Sequence, residues 1–222
     1  MSLKTSFNLC KAIKRPATTV IGSTFRRSII TTRPAITRAI PKQYRMSSVL
    51  SATASAAHSA FASLASVAQA KPGSSIPNVE AKIDSPDGRV NFSKLTGKNV
   101  LVVVPGAFTP VCSSQVPGYI EQYEKFKSKG VKDIYVVSVN DIYVVNAWKK
   151  DLKGDQLKFV ADDSASLAAA LGLTLDGQAV LGGPRFKRGA LILNDGKVEW
   201  LGIEDSPLDL KVSKAENVLA QL

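Results

Sequence analysis

At 222 residues the chain is long enough for one domain of ordinary size with an appendage. Its formal charge of +11 suggests a nucleic-acid partner, but eleven of the 29 Lys and Arg fall in residues 1–78, which contain no Asp or Glu. The remainder balances 18 basic against 18 acidic side chains, so the globular part is neutral and no nucleic-acid partner is expected. No apolar run reaches the ~18–20 residues of a spanning helix, so no membrane insertion is expected.

Residues 1–46 are rich in Arg, Ser and Thr, with isolated apolar residues such as Phe7, Leu9, Ile13 and Phe25 between the cations. That is the composition of an organellar transit peptide, which folds amphipathically on a membrane while its charges respond to an inside-negative potential. A basic arm for nucleic acid or anionic surfaces is the alternative. A mitochondrial matrix location is expected, although a plastid address has a similar composition. Met46 offers a second start, and a product beginning there would lose most of the basic leader and stay cytosolic. The terminal Ala220-Gln221-Leu222 resembles a peroxisomal tripeptide but lacks its basic middle residue.

Residues 47–75 are dominated by Ala and Ser and end in a Pro-Gly-Ser-Ser breaker, which predicts a linker or weak helix outside the core. The only histidine, His58, lies there. A catalytic histidine or a histidine-containing metal site in the core is therefore excluded, and neither a metal nor an organic cofactor is expected.

From Ile76 the pattern becomes globular. Asn99–Phe108 opens with an apolar run typical of a fully buried strand. Tyr119–Gly130 has helical spacing, with Tyr119, Ile120, Tyr123 and Phe126 on one side and Gly130 as a stop. Strands are predicted over Asp133–Asp141 and Leu157–Asp162, and helices over Asp141–Leu152 and Ser164–Leu173. Gly189–Glu204 reads as two strands around an Asn-Asp-Gly turn, and Ser213–Leu222 as a terminal helix. Strand and helix alternation followed by a hairpin predicts an α/β three-layer sandwich around a central mixed sheet, filling residues 76–222.

The chemistry concentrates in Pro105–Tyr119, "PGAFTPVCSSQVPGY". This stretch leaves the C-terminal end of a buried strand and enters a helix, where open α/β sheets place their sites. Pro110 suits a helix start and Pro117 an irregular first turn, which places Cys112 against unpaired backbone N–H groups. A thiol ionises near pH 8.5, so near-complete ionisation at pH 7 requires about 3–4 kcal/mol. A helix N-terminus supplies only about 0.3–2 kcal/mol. A cation must provide the rest, and without a core histidine it must be Arg or Lys. The candidates are Arg185, Lys187 and Arg188, ahead of a predicted strand. Arg188 directly abuts that strand and is the best placed, although basic residues in such positions are commonly solvated gatekeepers. Cys112 itself has a blander reading as a buried structural thiol. Thr109 can direct its hydroxyl to the sulfur or cap the helix.

The segment closely resembles the active-site loop of the peroxiredoxins, in which a proline is followed four residues on by threonine and three further by the peroxide-attacking cysteine. Here these are Pro105, Thr109 and Cys112. "VSVND" before an Ala-Trp helix, and "GPRFKR" before a strand ending in "NDGKVE", resemble the other signatures of the type II, peroxiredoxin-5-like subfamily. The similarity spans about residues 76–222, and with the leader it is greatest to mitochondrial members of fungi and plants.

The resemblance implies a thioredoxin-like fold and a peroxidase acting on hydrogen peroxide and alkyl hydroperoxides, with roles in antioxidant defence and redox homeostasis. It further implies that Cys112 becomes a sulfenic acid, that Pro105 shields the sulfur, that Thr109 bonds sulfur and peroxide, and that Arg188 stabilises the thiolate. Gly106 and Arg185 are expected at the substrate, with Gly106 and Phe108 shaping the loop and a homodimer surface. Gln115 stands where many relatives carry histidine, Ile142 where proline is common, and Gly189 where an aromatic is usual, which predicts looser packing beside Arg188. The only other cysteine, Cys10, is in the leader. The oxidised sulfur must then be resolved by glutathione with glutaredoxin, by thioredoxin, or by a second subunit. A redox-inactive holdase is the alternative, whereas a disulfide oxidoreductase would need a Cys-x-x-Cys pair and residue 115 is Gln.

Overall fold

The computed structural model describes residues 68–222. The expected transit peptide, Met46, His58 and the linker up to residue 67 lie outside the described residues.

Two strands open the domain, β1 (Glu80–Ile83) and β2 (Arg89–Asn91), followed by a 3-10 turn at Phe92–Lys94. Next come β3 (Lys98–Val104), α1 (Pro110–Glu121), α2 (Tyr123–Ser128), β4 (Val131–Ser138), α3 (Ile142–Asp151), β5 (Lys158–Ala161) and α4 (Ser166–Ala170). A short excursion forms β6 (Thr174–Asp176), α5 (Gln178–Leu181) and β7 (Pro184–Phe186), before β8 (Gly189–Asn194), β9 (Lys197–Ile203) and α6 (Ala215–Leu219). The main sheet runs β2-β1-β5-β4-β3-β8-β9, and β6 pairs only with β7. Strands β3, β4 and β5 are mutually parallel, whereas β8, β9, β1 and β2 add antiparallel edges. The sheet is thus mixed, as the alternation predicts.

β3 is central because every residue from Asn99 to Val104 is buried. Its side chains alternate between two cores. Val100, Val102 and Val104 face α1, α2, α3 and α6, while Leu101 and Val103 face α4, Phe92 and Phe186. Each such burial stabilises the fold by about 1.5–3 kcal/mol, so no polar substitution fits this strand. Helical layers on both faces complete the three-layer α/β sandwich.

Three local features differ from the sequence reading. The helix predicted over Tyr119–Gly130 is two helices, α1 and α2, parted at Gln122 (φ −101°, ψ 12°). Pro117 inside α1 lacks the N–H that would continue the ladder, although Tyr119 and Phe126 still stack on one side at 5.5 Å. The β1–β2 hairpin and the β6–β7 pair carry too few alternating positions to be visible in periodicity. Residues 70–75, placed in the linker by composition, are bonded to the domain. Ala70 N donates to Leu171 O (2.8 Å), Gly73 N to Val198 O (2.8 Å), and Val198 N to Ser74 O (2.9 Å).

The expectation of looser packing at Gly189 is also corrected. Gly189 is buried, and a Cβ there would lie 2.3 Å from Ile203 Cδ1 and 2.7 Å from the Gly202 carbonyl oxygen. Ile203, on the neighbouring strand, fills the space an aromatic would need.

Candidate active site

The site forms where β3 ends. Pro105 and Gly106 are buried, and the loop they open is pinned from β4's side, because Ala107 N donates to Asn140 Oδ1 (2.9 Å). Phe108 follows at φ 60°, a left-handed conformation costly for a bulky residue. The turn redirects the chain into α1 and leaves the Phe108 ring about half exposed, 6.5 Å from Trp148.

α1 begins at Pro110, with Thr109 as the residue before it. Its first backbone bond runs from Ser113 N to Thr109 O (2.9 Å), so the N–H groups of Val111 and Cys112 have no helical acceptor. Cys112 thus occupies the first turn, as the motif predicts, and it is fully buried.

Arg188 closes on it from the strand across the sheet. Residue 188 immediately precedes β8, which pairs antiparallel with β3, so 76 residues of sequence separation become a direct contact. Arg188 Nη1 donates to Cys112 Sγ at 3.3 Å and to Gln115 Oε1 at 2.7 Å. Nε and Nη2 both donate to the Pro207 carbonyl, at 3.0 and 2.8 Å. Four of the five guanidinium N–H groups find acceptors in this way, which leaves one on Nη2.

The charge of Arg188 is buried, at 2% exposure, yet among the described residues none of the ion pairs includes it. An isolated buried cation is strongly unfavourable, so this pocket favours a negative charge on the atom facing it. That atom is sulfur. The contact sets a permanent cation directly against the sulfur, which a helix terminus alone does not supply.

The other expected residues have different positions. The Thr109 hydroxyl donates to Gly106 O (3.0 Å) rather than to the sulfur, because the tight loop brings that carbonyl within its reach. Gly106 therefore enters through its carbonyl. Arg185 does not join the cluster. It lies on β7, its guanidinium donates to the carbonyls of Val139 and Leu181, and burial pushes its pKa down. Its Nε is buried and has no hydrogen-bond partner among the described residues.

The role of Gln115 and the presence of Glu204 and Ser213 escaped the sequence reading. Gln115, the conspicuous departure from the motif, is buried and bridges Arg188 to Ser213, with its Nε2 donating to Ser213 Oγ at 3.0 Å. Glu204 accepts at Oε1 from Lys211 N (2.8 Å), Ser213 N (2.9 Å) and Ser213 Oγ (2.8 Å). Burial pushes its carboxyl pKa up, but these hydrogen bonds outweigh that and hold it below the ordinary value of 4.5. Tyr119 donates to Ser213 O at 2.6 Å, and burial, with the charges of Glu204 and Glu216, keeps its hydroxyl protonated. No local pattern marks partners 98 residues apart.

A groove of about 520 Å³ adjoins the cysteine, lined by Pro105, Thr109, Val111, Val180, Arg188 and Leu208 among others. Val180 and Leu208 stand 86% and 77% exposed at its margin. Arg188, which meets the sulfur at 3.3 Å, is part of that lining. Among the described residues no cluster of three or more potential ligands could hold a metal ion.

Comparison with known proteins gives the same picture from sequence and from shape. A family model described as Redoxin matches residues 71–219. The chain is 42% identical over 153 residues to "Peroxisomal membrane associated protein 20" of Schizosaccharomyces pombe, covering 68% of this chain and 97% of the relative. It is 36% identical over 191 residues to "Peroxiredoxin-2F, mitochondrial" of Arabidopsis thaliana, covering 78% and 95%. Among solved structures, reduced Prx3 of Vibrio vulnificus in complex with hydrogen peroxide superposes with a TM-score of 0.64 at 39% identity, covering 70% of this chain and 99% of that one.

Proposed function

The chain belongs to the peroxiredoxins of the Redoxin family and is a thiol-dependent peroxidase, and from that premise we propose that Cys112 is its peroxidatic thiol and Arg188 the partner of the thiolate. The observation that carries this reading is the 3.3 Å approach of a buried guanidinium, with no carboxylate partner among the described residues, to Cys112 Sγ.

The Cys112 thiolate attacks one peroxide oxygen. The S–O bond forms as O–O breaks, and the departing oxygen takes a proton to leave as water or an alcohol. Sulfur is oxidised to sulfenic acid and the peroxide is reduced. The free Nη2 N–H of Arg188 and the backbone N–H of Cys112 are suited to donate to oxygens on which charge develops. Pro105 walls the groove side, and Thr109 can turn its hydroxyl from Gly106 O to the peroxide. Gly106 supports the loop through its carbonyl. Arg185 holds the β6–β7 excursion, and its part in substrate binding is indirect.

Cys10 falls in the leader, so the sulfenic acid condenses with an external thiol, releasing water, and a second thiol reduces the resulting disulfide. Glutathione with glutaredoxin or thioredoxin supplies those thiols. The half-exposed Phe108 ring supports a homodimer contact beside the site. The leader's composition and the mitochondrial name of a relative support a matrix location, with a cytosolic form from Met46. The peroxisomal name is that of the yeast relative.

The test is peroxide consumption by the purified chain with each reductant, using hydrogen peroxide and an alkyl hydroperoxide. Cys112→Ser should remove activity with every pair, and activity surviving in that variant would rule out Cys112.

A further inference from the structure

A buried hydrogen-bond chain leads away from the sulfur through residues that, Arg188 apart, do not line the groove, and its direction is fixed by chemistry. A guanidinium only donates, so the atom of Gln115 facing Arg188 Nη1 at 2.7 Å must be its oxygen. The amide nitrogen of Gln115 then donates to Ser213 Oγ at 3.0 Å and approaches Ser213 O at 3.4 Å. With its oxygen already accepting, the Ser213 hydroxyl sends its own hydrogen to Glu204 Oε1, 2.8 Å away. The order Arg188, Gln115, Ser213, Glu204 ends on a group that can only accept when ionised. All four residues are at most 7% exposed.

The same carboxylate shapes the second support of Arg188. By accepting from Lys211 N and Ser213 N, Glu204 closes the segment 205–212 on itself. That segment carries Pro207, whose carbonyl takes both Nε and Nη2 of Arg188. The backbone completes the circuit, since Glu204 N donates to Arg188 O at 2.9 Å. Glu204 makes no ion pair with Arg188, so the cation's charge is left for the sulfur.

We propose that Glu204 is a positioning residue for the peroxidase reaction: it orients the Ser213–Gln115 chain and holds the Pro207 carbonyl so that Arg188 Nη1 stays on Cys112 Sγ. The proposal rests on the reading of Arg188 as the thiolate's partner. Without the terminal acceptor, the Ser213 hydroxyl can turn its hydrogen toward Gln115, the amide can flip, and the guanidinium then meets an NH2 group instead of an oxygen.

The experiment measures two things on the full chain and its variants: the second-order rate with hydrogen peroxide, and the pH at which alkylation of the thiol by iodoacetamide is half-maximal. Glu204→Ala should slow peroxide reaction by about 10–100-fold, the scale expected from a small misplacement of a catalytic group, and move the alkylation midpoint to higher pH. Glu204→Gln, which keeps an acceptor oxygen, should recover most of the loss, and Ser213→Ala should fall between. In an Arg188→Ala background, Glu204→Ala should add little. Unchanged rate and midpoint in Glu204→Ala, or an undiminished effect in the Arg188→Ala background, would overturn the proposal. If Glu204→Ala does not fold, Ser213→Ala decides, and an unshifted midpoint there overturns it equally. If Arg188→Ala itself leaves the rate unchanged, the reading of Arg188 fails and this proposal with it. A slow Arg188→Ala beside a normal Glu204→Ala removes this proposal alone.

Discussion

At the scale of single residues, the two arginines of "PRFKR" separate by what their guanidinium groups touch. Arg188 faces sulfur and a glutamine oxygen, whereas Arg185 is committed to two main-chain carbonyls. Arg188→Ala should therefore slow peroxide reduction by about 10²–10³-fold, the range for loss of one preorganised donor, while Arg185→Ala should cost less than tenfold. Steady-state rates at saturating reductant check the order. The pH dependence of stability has a sign at Glu204. Its carboxyl is held below 4.5, so its contribution is complete above that pH and is lost as pH falls through the folded-state value. Acid unfolding of Glu204→Gln, followed by circular dichroism, should accordingly show a shallower loss of stability below about pH 4.5 than the parent chain. Cys112 and Arg188 were legible in the sequence because an energetic shortfall at the thiol calls for a cation, and Pro105 and Thr109 because the segment resembles the peroxiredoxin loop. Glu204 and Ser213 were not, since a carboxylate that accepts from backbone N–H groups leaves no periodic trace.

At the scale of elements, β3 and β8 do most of the positioning. Their antiparallel pairing brings Arg188 to α1's first turn, and any distortion at the start of β8 is transmitted to the guanidinium. Gly189→Ala should destabilise the chain by about 1–3 kcal/mol, because the new Cβ meets the Gly202 carbonyl oxygen at 2.7 Å as well as Ile203. Urea unfolding gives that number directly. The buried strands were readable because β3, β4 and β5 each carry an unbroken apolar run, Val100–Val104, Ile134–Val137 and Phe159–Ala161. The break at Gln122 was not, for Tyr119 and Phe126 keep one helical face across it and the periodicity does not register the interruption. The β6–β7 pair also has no pattern of its own. It packs through Phe186 and through Arg185's bond to the Val139 carbonyl, both tertiary contacts.

For the whole molecule, composition separates a leader, a linker and a domain, and the described residues bear only on the start of the domain. That start includes residues 70–75, whose polar, breaker-like sequence conceals three backbone bonds to the sheet and helix layer. A chain starting at Ile76 should melt several degrees below one starting at Met46, since those bonds contribute about 0.5–1.5 kcal/mol each and a domain of this size shifts by about 2–4 °C per kcal/mol. Differential scanning calorimetry of the two chains tests this. The neutral domain and acid-free leader predict that deleting residues 1–46 leaves peroxidase activity intact while abolishing import into isolated mitochondria.

The central claim is that a buried Arg188 activates Cys112 by direct contact. Stopped-flow measurement of the single-turnover reaction of reduced chain with hydrogen peroxide, across pH, tests it most directly. The account predicts no reaction in Cys112→Ser, and in Arg188→Ala a slow reaction whose rate rises with pH to a midpoint above that of the parent chain. Equal rates and equal pH midpoints in Arg188→Ala and the parent would contradict it.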